Sequence, residues 1–316
     1  MIRRVLLALT LCVLGATRAA AQEWTGAEAL LAEGRIAPAE SLLFLAATIR
    51  PHDPEARVAL GRYLGSRGAL RVGAVLLEEA RLFGADPRRV ARDLAPLYRA
   101  LGDYKALATL PGSPLTAMER TQAVWFVSHQ PTLAMDDSTV LAYREPSDTG
   151  VLGRVTIRVG TASFEADIDA RRHGIVLDAS RRDLAAELFA SERDAPVGTM
   201  LGALDEVQIG EATLGNVPVT FEASAEGSSR RAVIGLDLLA RLSPTFDAPR
   251  RRLVLRRGRI AAKRAGERVA VLLMPDAVLV RRLDGFISID GDEMRSALRG
   301  RAWTLDSRRG ELLLEP

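Results

Sequence analysis

From Ala27 to Gly102 apolar residues recur three and four positions apart: Ala29, Leu30 and Leu31, then Leu42, Leu43, Leu45 and Ala46, then Leu76, Leu77, Ala80 and Leu82. This spacing predicts amphipathic helices packed along one stripe. A polar, proline-containing stretch follows from Pro111 to Asp137, and beyond it the period falls to two. Val155, Ile157 and Val159 alternate with Thr156 and Arg158; Phe164, Ala166 and Ile168 alternate with Glu165, Asp167 and Asp169; Val217, Val219 and Phe221 repeat the pattern. These segments predict half-buried antiparallel strands. Residues 183–189 read as a short helix and 204–210 as a strand ending in a turn glycine. The fold class that follows is multidomain, α and then all-β. Helical repeats occupy 22–112, a wrapping linker 113–137, a β domain 138–257 and a β-rich extension 258–316.

Glycines at Gly34, Gly68 and Gly102 stand 34 residues apart, and the turns Pro51-His52-Asp53-Pro54 and Asp86-Pro87 follow the first two at matching places. That period matches tetratricopeptide repeats. The segment from Glu33 to Glu40 resembles the inter-helix turn of that family, where glycine permits close helix approach. The resemblance covers about 85 residues. A short solenoid of this kind either offers a face to a peptide or partner protein, or only caps the neighbouring domain. His52, in the turn, reads as a solvated loop residue.

The composition is that of a globular chain: 316 residues, 48% hydrophobic and 26% charged. Only Lys105 and Lys263 of the 43 basic residues are lysines, and the formal charge is +3 with no continuous basic stripe. Nucleic-acid binding is therefore not expected. Arg3 and Arg4, an apolar run from Val5 to Leu14 and Ala19-Ala20-Ala21 form a charged n-region, an h-region and a small-residue cleavage site, predicting a signal peptide over 1–21. The run is too short to span a bilayer, which takes roughly 20 residues. The expected mature protein starts at Gln22, is periplasmic or secreted, and has no stable membrane insertion. The single cysteine, Cys12, lies inside the signal. The mature chain then has no thiol for a disulfide, a metal site or a nucleophile. His52, His129 and His173 are far apart in sequence and no carboxylates cluster at ligand spacing, so neither metal nor cofactor is expected.

One further pattern carries chemistry. An alternating hairpin ends in Asp169, the triplet Ile175-Val176-Leu177 follows, and later come Ala232-Val233-Ile234-Gly235-Leu236-Asp237-Leu238-Leu239 and Phe246-Asp247. Over about 105 residues this order resembles bacterial retropepsin-like aspartic proteases, most specifically at Val233 to Leu239. The resemblance implies an acid-protease β-barrel. It also implies a catalytic Asp-Thr-Gly, two aspartates from two lobes or subunits that share a proton and activate a water. The literal Asp148-Thr149-Gly150 follows Glu145-Pro146-Ser147, which is no buried strand, and reads as a decoy. Asp169 is the positional match for the catalytic acid, with Asp178 a weaker alternative and a capping or turn role open for either.

Asp169 is followed by Ala170 and Arg171 where the family has Thr and Gly. Ala170 lacks the hydroxyl that ties two active-site loops together, and Arg171 sets a fixed cation beside a carboxylate, which favours its charged form over proton sharing. Pro196 to Gly202 corresponds to the family's substrate flap. His173 reads as a loop residue.

Thr245 to Leu255 aligns without a gap on Thr304 to Leu314 at an offset of 59, with Phe286 to Asp290 and a helix-like 293–298 extending the likeness loosely. This is either a truncated second lobe or an unrelated Arg-turned hairpin. It shows no convincing second Asp-Thr-Gly; Asp284-Gly285 follows the charged Arg281-Arg282-Leu283. If it is a lobe, it covers the surface by which retropepsins dimerise and leaves a monomer without a second catalytic Asp. The sequence favours a catalytically impaired, exported scaffold that binds a peptide or protein. The alternative is an active aspartic endopeptidase, a homodimer with Asp169 supplied once per subunit.

Overall fold

A computed structural model describes residues 26–145, 150–189, 199–223, 231–257, 266–275, 277–282 and 285–315. The signal segment lies outside these residues. The amphipathic stripe forms α1 (26–32), α2 (Ile36–Ile49), α3 (Pro54–Ser66), α4 (Leu70–Leu82) and α5 (Pro87–Leu101), and α6 (Tyr104–Thr109) follows. Gly34, Gly68 and Gly102 each leave a helix in the left-handed region, at φ +71°, +83° and +72°, which glycine alone enters without a Cβ penalty. The Asp-Pro pairs do the opposite job. Asp53 and Asp86 cap α3 and α5 by accepting the backbone N–H of Glu55 and Arg88, with Pro54 and Pro87 in the first turn. Close helix approach belongs to Gly61 and Gly73 rather than Gly34, since a Cβ on Gly73 would stand 2.7 Å from the Gly61 carbonyl.

The expected linker is largely ordered secondary structure: α7 (Ala117–Ser128), opened by a Thr116–Glu119 capping box, and β1 (Thr132–Ala134). Met118, Ala123 and Phe126 of α7 are buried. Phe126 stacks on Tyr104, and Trp125 meets Phe189 edge-on at 5.9 Å, tying the helices to the β region. Burying a side chain the size of Phe126 contributes about 1.5–3 kcal/mol.

The period-two segments form β2 (Ser138–Ala142), β3 (Gly153–Val159) and β4 (Ala162–Asp169), followed by β5 (Ile175–Asp178), β6 (Glu187–Phe189), β7 (Thr199–Ile209), β8 (Ala212–Glu222) and β9 (Arg231–Gly235). Val155, Ile157, Val159, Phe164, Ala166 and Ile168 all point into the core. The expected helix over 183–189 is instead a 3₁₀ turn, Ala179–Leu184, followed by β6. Pairing of β7 with both β3 and β8 closes β8-β5-β9-β4-β3-β7 into a barrel, with β1 and β6 added at its sides.

A second, antiparallel sheet takes β2 together with β10 (Thr245–Asp247) and β11 (Arg252–Arg256). Its other strands are β12 (Glu267–Met274), β13 (Ala277–Arg282), β14 (Gly285–Ser288), β15 (Ala302–Asp306) and β16 (Glu311–Leu314), in the order β14-β13-β12-β16-β15-β10-β11-β2. Short helices α8 (Leu236–Ala240) and α9 (Asp292–Leu298) precede β10 and β15. The 59-residue offset becomes a local twofold. Strands β10 and β15 pair antiparallel with Thr245 opposite its own sequence equivalent, Thr304. In each hairpin a buried aspartate, Asp247 or Asp306, accepts from the Arg turn that follows, through the backbone N–H of Arg250 or Arg309. One apolar core runs from Val155 and Ile234 in the barrel to Leu305 and Leu312 in the second sheet.

Candidate functional site

Strand β9 is threaded between β4 and β5, two strands consecutive in the chain: it runs parallel to β4 and antiparallel to β5. The connection 170–174 must therefore arch over the end of β9, where Asp169 is the register partner of Gly235. Sequence explains why this works. The Gly235 N–H donates to the Gly174 carbonyl at 2.7 Å, and a Cβ on Gly235 would collide with the Arg172 carbonyl. Gly174 is buried at φ +61°, and its N–H donates to Asp237 Oδ1 at 3.1 Å. The loop is held at both ends, and Ala170, Arg171, Arg172 and His173 are presented from it.

Asp169 lies at the end of β4 with its side chain 14% exposed. Its Oδ1 accepts the Arg171 backbone N–H at 2.8 Å and the Arg171 Nε at 3.3 Å, and Oδ2 accepts Nη2 at 3.4 Å. The same Nε lies 3.1 Å from Oδ2 of Asp290, whose side chain is only 7% exposed and which also accepts from the Ser288 hydroxyl. Nη2 additionally donates to the Gly150 carbonyl at 3.4 Å. The hydrogen bonds and charge of Asp169, with a smaller contribution from Asp290, hold the Arg171 guanidinium protonated even more firmly than usual. Ala170 is buried and offers no hydroxyl to the site. Arg172 forms a two-pronged pair with Glu222 at 2.9 and 2.8 Å, and His173 lies 3.5 Å from Asp237.

The second acid is the residue the sequence did not disclose. Asp290 follows β14 and precedes Gly291, the N-cap of α9, as Ile234 precedes Gly235, the N-cap of α8. The alternation Ile287-Ser288-Ile289-Asp290-Gly291 before a helix was the available signal. The sequence shows no convincing second Asp-Thr-Gly in the C-terminal region, and Asp290, outside any such tripeptide, shares a cation with Asp169. Asp178 instead caps the 3₁₀ turn, accepting from the Ser180 N–H at 2.9 Å and from its hydroxyl. Asp148, Thr149 and Asp284 lie outside the described residues, as do Pro196 to Gly198 of the expected flap. Gly202, at the end of the expected flap, is paired with Leu188 and Val219 inside the sheet, where a Cβ would stand 2.8 Å from the Glu187 carbonyl.

A cavity of about 260 Å³ opens between the helices and the barrel, with Tyr104, Gln122, His173, Asp237, Leu238 and Arg241 in its wall. Among the described residues no group of His, Cys, Asp and Glu is arranged to hold a metal, and no helix is long and apolar enough to cross a membrane.

No family model and no curated protein matches the chain. Among solved structures it is similar to a retropepsin-like aspartic protease from Rickettsia conorii, at 13% identity and a TM-score of 0.27, over 40% of this chain and 93% of that one.

Proposed function

We propose that the protein is an exported, catalytically impaired relative of the retropepsin-like aspartic proteases that serves as a peptide- or protein-binding scaffold in the cell envelope. The observation that carries this reading is the Arg171 guanidinium seated against both Asp169 and Asp290. General acid–base use of two carboxylates needs one proton shared between them. The guanidinium occupies the place of that shared proton, and Arg171 cannot give up a proton to substrate. The missing hydroxyl at Ala170 works in the same direction. Binding is supported by the cavity between helices and barrel, where an apolar floor including Leu238 meets polar groups at Gln122, His173 and Arg241. The pairing of β10 with β15 of the same chain supports a monomer, because the β10 edge has no room for a second copy. The helices, read as tetratricopeptide-like, would extend the binding surface.

The test is exposure of a mixed peptide library to the mature protein between pH 3 and 7, beside an Asp169→Ala control, with retained peptides recovered by gel filtration. Retention without cleavage is expected. Cleavage abolished by Asp169→Ala would replace this reading with that of an active endopeptidase.

A further inference from the structure

We propose that Asp169 and Asp290 are the two halves of a single carboxylate pair built within one chain, and that Arg171 is its built-in latch, the cation that bridges the pair and keeps it closed. The proposal rests on the reading above for the role of Asp169 and adds the partner acid and the element that silences both. Three independent observations carry it.

The first is geometry. One nitrogen, Arg171 Nε, lies 3.3 Å from an Asp169 oxygen and 3.1 Å from an Asp290 oxygen, although Asp169 ends β4 of the barrel and Asp290 follows β14 of the second sheet. The second is burial. The acids are 14% and 7% exposed, while Arg171 is 55% exposed. Two carboxylates so enclosed repel unless a cation or a proton lies between them. The cation comes from the solvent side, on a loop, so its removal opens the pair without hollowing the core. The third is placement, since each acid stands beside a helix-capping glycine. Asp169 is the strand partner of Gly235, and Asp290 is the chain neighbour of Gly291.

The charged groups around the pair are otherwise engaged: Arg172 with Glu222 and His173 with Asp237. The neutral donors to the pair are the Arg171 backbone N–H, on Asp169, and the Ser288 hydroxyl, on Asp290. Among the described residues Arg171 is the one cation in ion-pair contact with both acids. Without it, two largely buried carboxyls are left with no cation between them.

The deciding experiment follows the aspartate carboxyl carbons by NMR as pH is changed, in Arg171→Met and in Arg171→Met/Asp290→Asn. The titration of Asp169 is expected to lie at least about one pH unit higher in the single variant than in the double variant, a tenfold difference in proton affinity caused by Asp290. Identical titrations would overturn the pairing, whatever the peptide assay shows. Peptide cleavage at pH 4–5 is expected to rise at least about tenfold in Arg171→Gly and to vanish again when Asp290→Asn is added. If wild type cleaves as fast as Arg171→Gly, the latch role fails together with the impaired reading, whereas the titration still decides the pair. Should the Arg171 variants not fold, exchange of the Arg171 Nε–H in the otherwise unaltered chain keeps the proposal testable. Asp290→Asn is expected to speed that exchange at least about fivefold, and an unchanged rate would overturn the latch.

Discussion

Thr245 and Thr304 meet side chain to side chain, Oγ1 to Oγ1 at 2.7 Å, with both residues buried at the point where β10 and β15 cross the local twofold. Arg256 also donates to Thr245 Oγ1, at 2.5 Å. A polar pair at this depth fastens the two related hairpins in one register, because sliding by a residue would strand the hydroxyls against apolar side chains.

Replacing Thr245 by Val removes an acceptor for both Thr304 and Arg256 and should cost about 1–3 kcal/mol. Adding Thr304→Val should cost less than the sum of the single changes, since the second substitution removes a group already deprived of this partner. Denaturant unfolding of the two single variants and the double variant measures the coupling. Strict additivity would mean that the hydroxyl pair contributes nothing.

Gly235→Ala should destabilise the fold by about 1–3 kcal/mol through overpacking, although its φ of −64° is open to any residue. The added methyl meets the Arg172 carbonyl and would push the loop that carries Arg171 away from β9. Chemical shifts of Arg171 and Asp169 should move with the loss of melting temperature. A wild-type melting temperature would show that the arch is slack.

Arg67 reaches from the C-terminal end of α3 to the β region, donating through Nη1 to the carbonyls of Val271 at 2.8 Å and Gly310 at 2.5 Å. Arg67→Ala should leave those acceptors without this donor and cost about 1–3 kcal/mol. Hydrogen exchange should rise in β12 and in the turn at Gly310, with the barrel strands β3 and β4 unchanged. Uniform exchange across both sheets would argue against a local tie.

All four tyrosines are expected to resist ionisation. Burial and the neighbouring Glu40 charge push the Tyr63 phenol up to about 12. Burial, reinforced by Glu78 at Tyr98 and by Glu145 at Tyr143, raises those two further, and burial raises Tyr104. In the unfolded chain a tyrosine ionises near pH 10. Each raised phenol contributes stability that is complete below about pH 10 and is lost as pH climbs toward the folded value. Absorbance at 295 nm should therefore stay flat in the native protein to about pH 11, while the melting temperature falls from pH 10 upward. A native phenolate step near pH 10 would contradict this, and Tyr63→Phe should soften the alkaline fall.

Hydrophobic spacing was enough to separate helices from strands in this chain. Three-and-four recurrence marked 27–102, and alternation marked β3, β4 and β8, because burial on one face imposes a period that any reader can count. Gly34, Gly68 and Gly102 were equally legible, each ending a helix where φ must be positive. The linker was misread for a related reason. The prolines and polar residues of 111–116 and 128–137 hid the apolar run Ala123 to Val127 inside α7, whose buried Met118, Ala123 and Phe126 pack in one cluster with residues such as Tyr104, Leu107 and Phe189. The 3₁₀ turn and β6 were misread as one helix because each is too short to show a period.

The order of elements, the position of Asp169 after an alternating strand and the 59-residue echo between Thr245 and Thr304 are written in the chain, since each follows from local spacing or from direct comparison of two segments. That Asp290 stands across Arg171 from Asp169 is not. It depends on β9 passing between β4 and β5, and on β10 pairing with β15, the strands that follow α8 and α9. Periodicity tells which face of a strand is buried but not which edge meets which, and a guanidinium bridging two distant carboxylates exists only once those edges have paired.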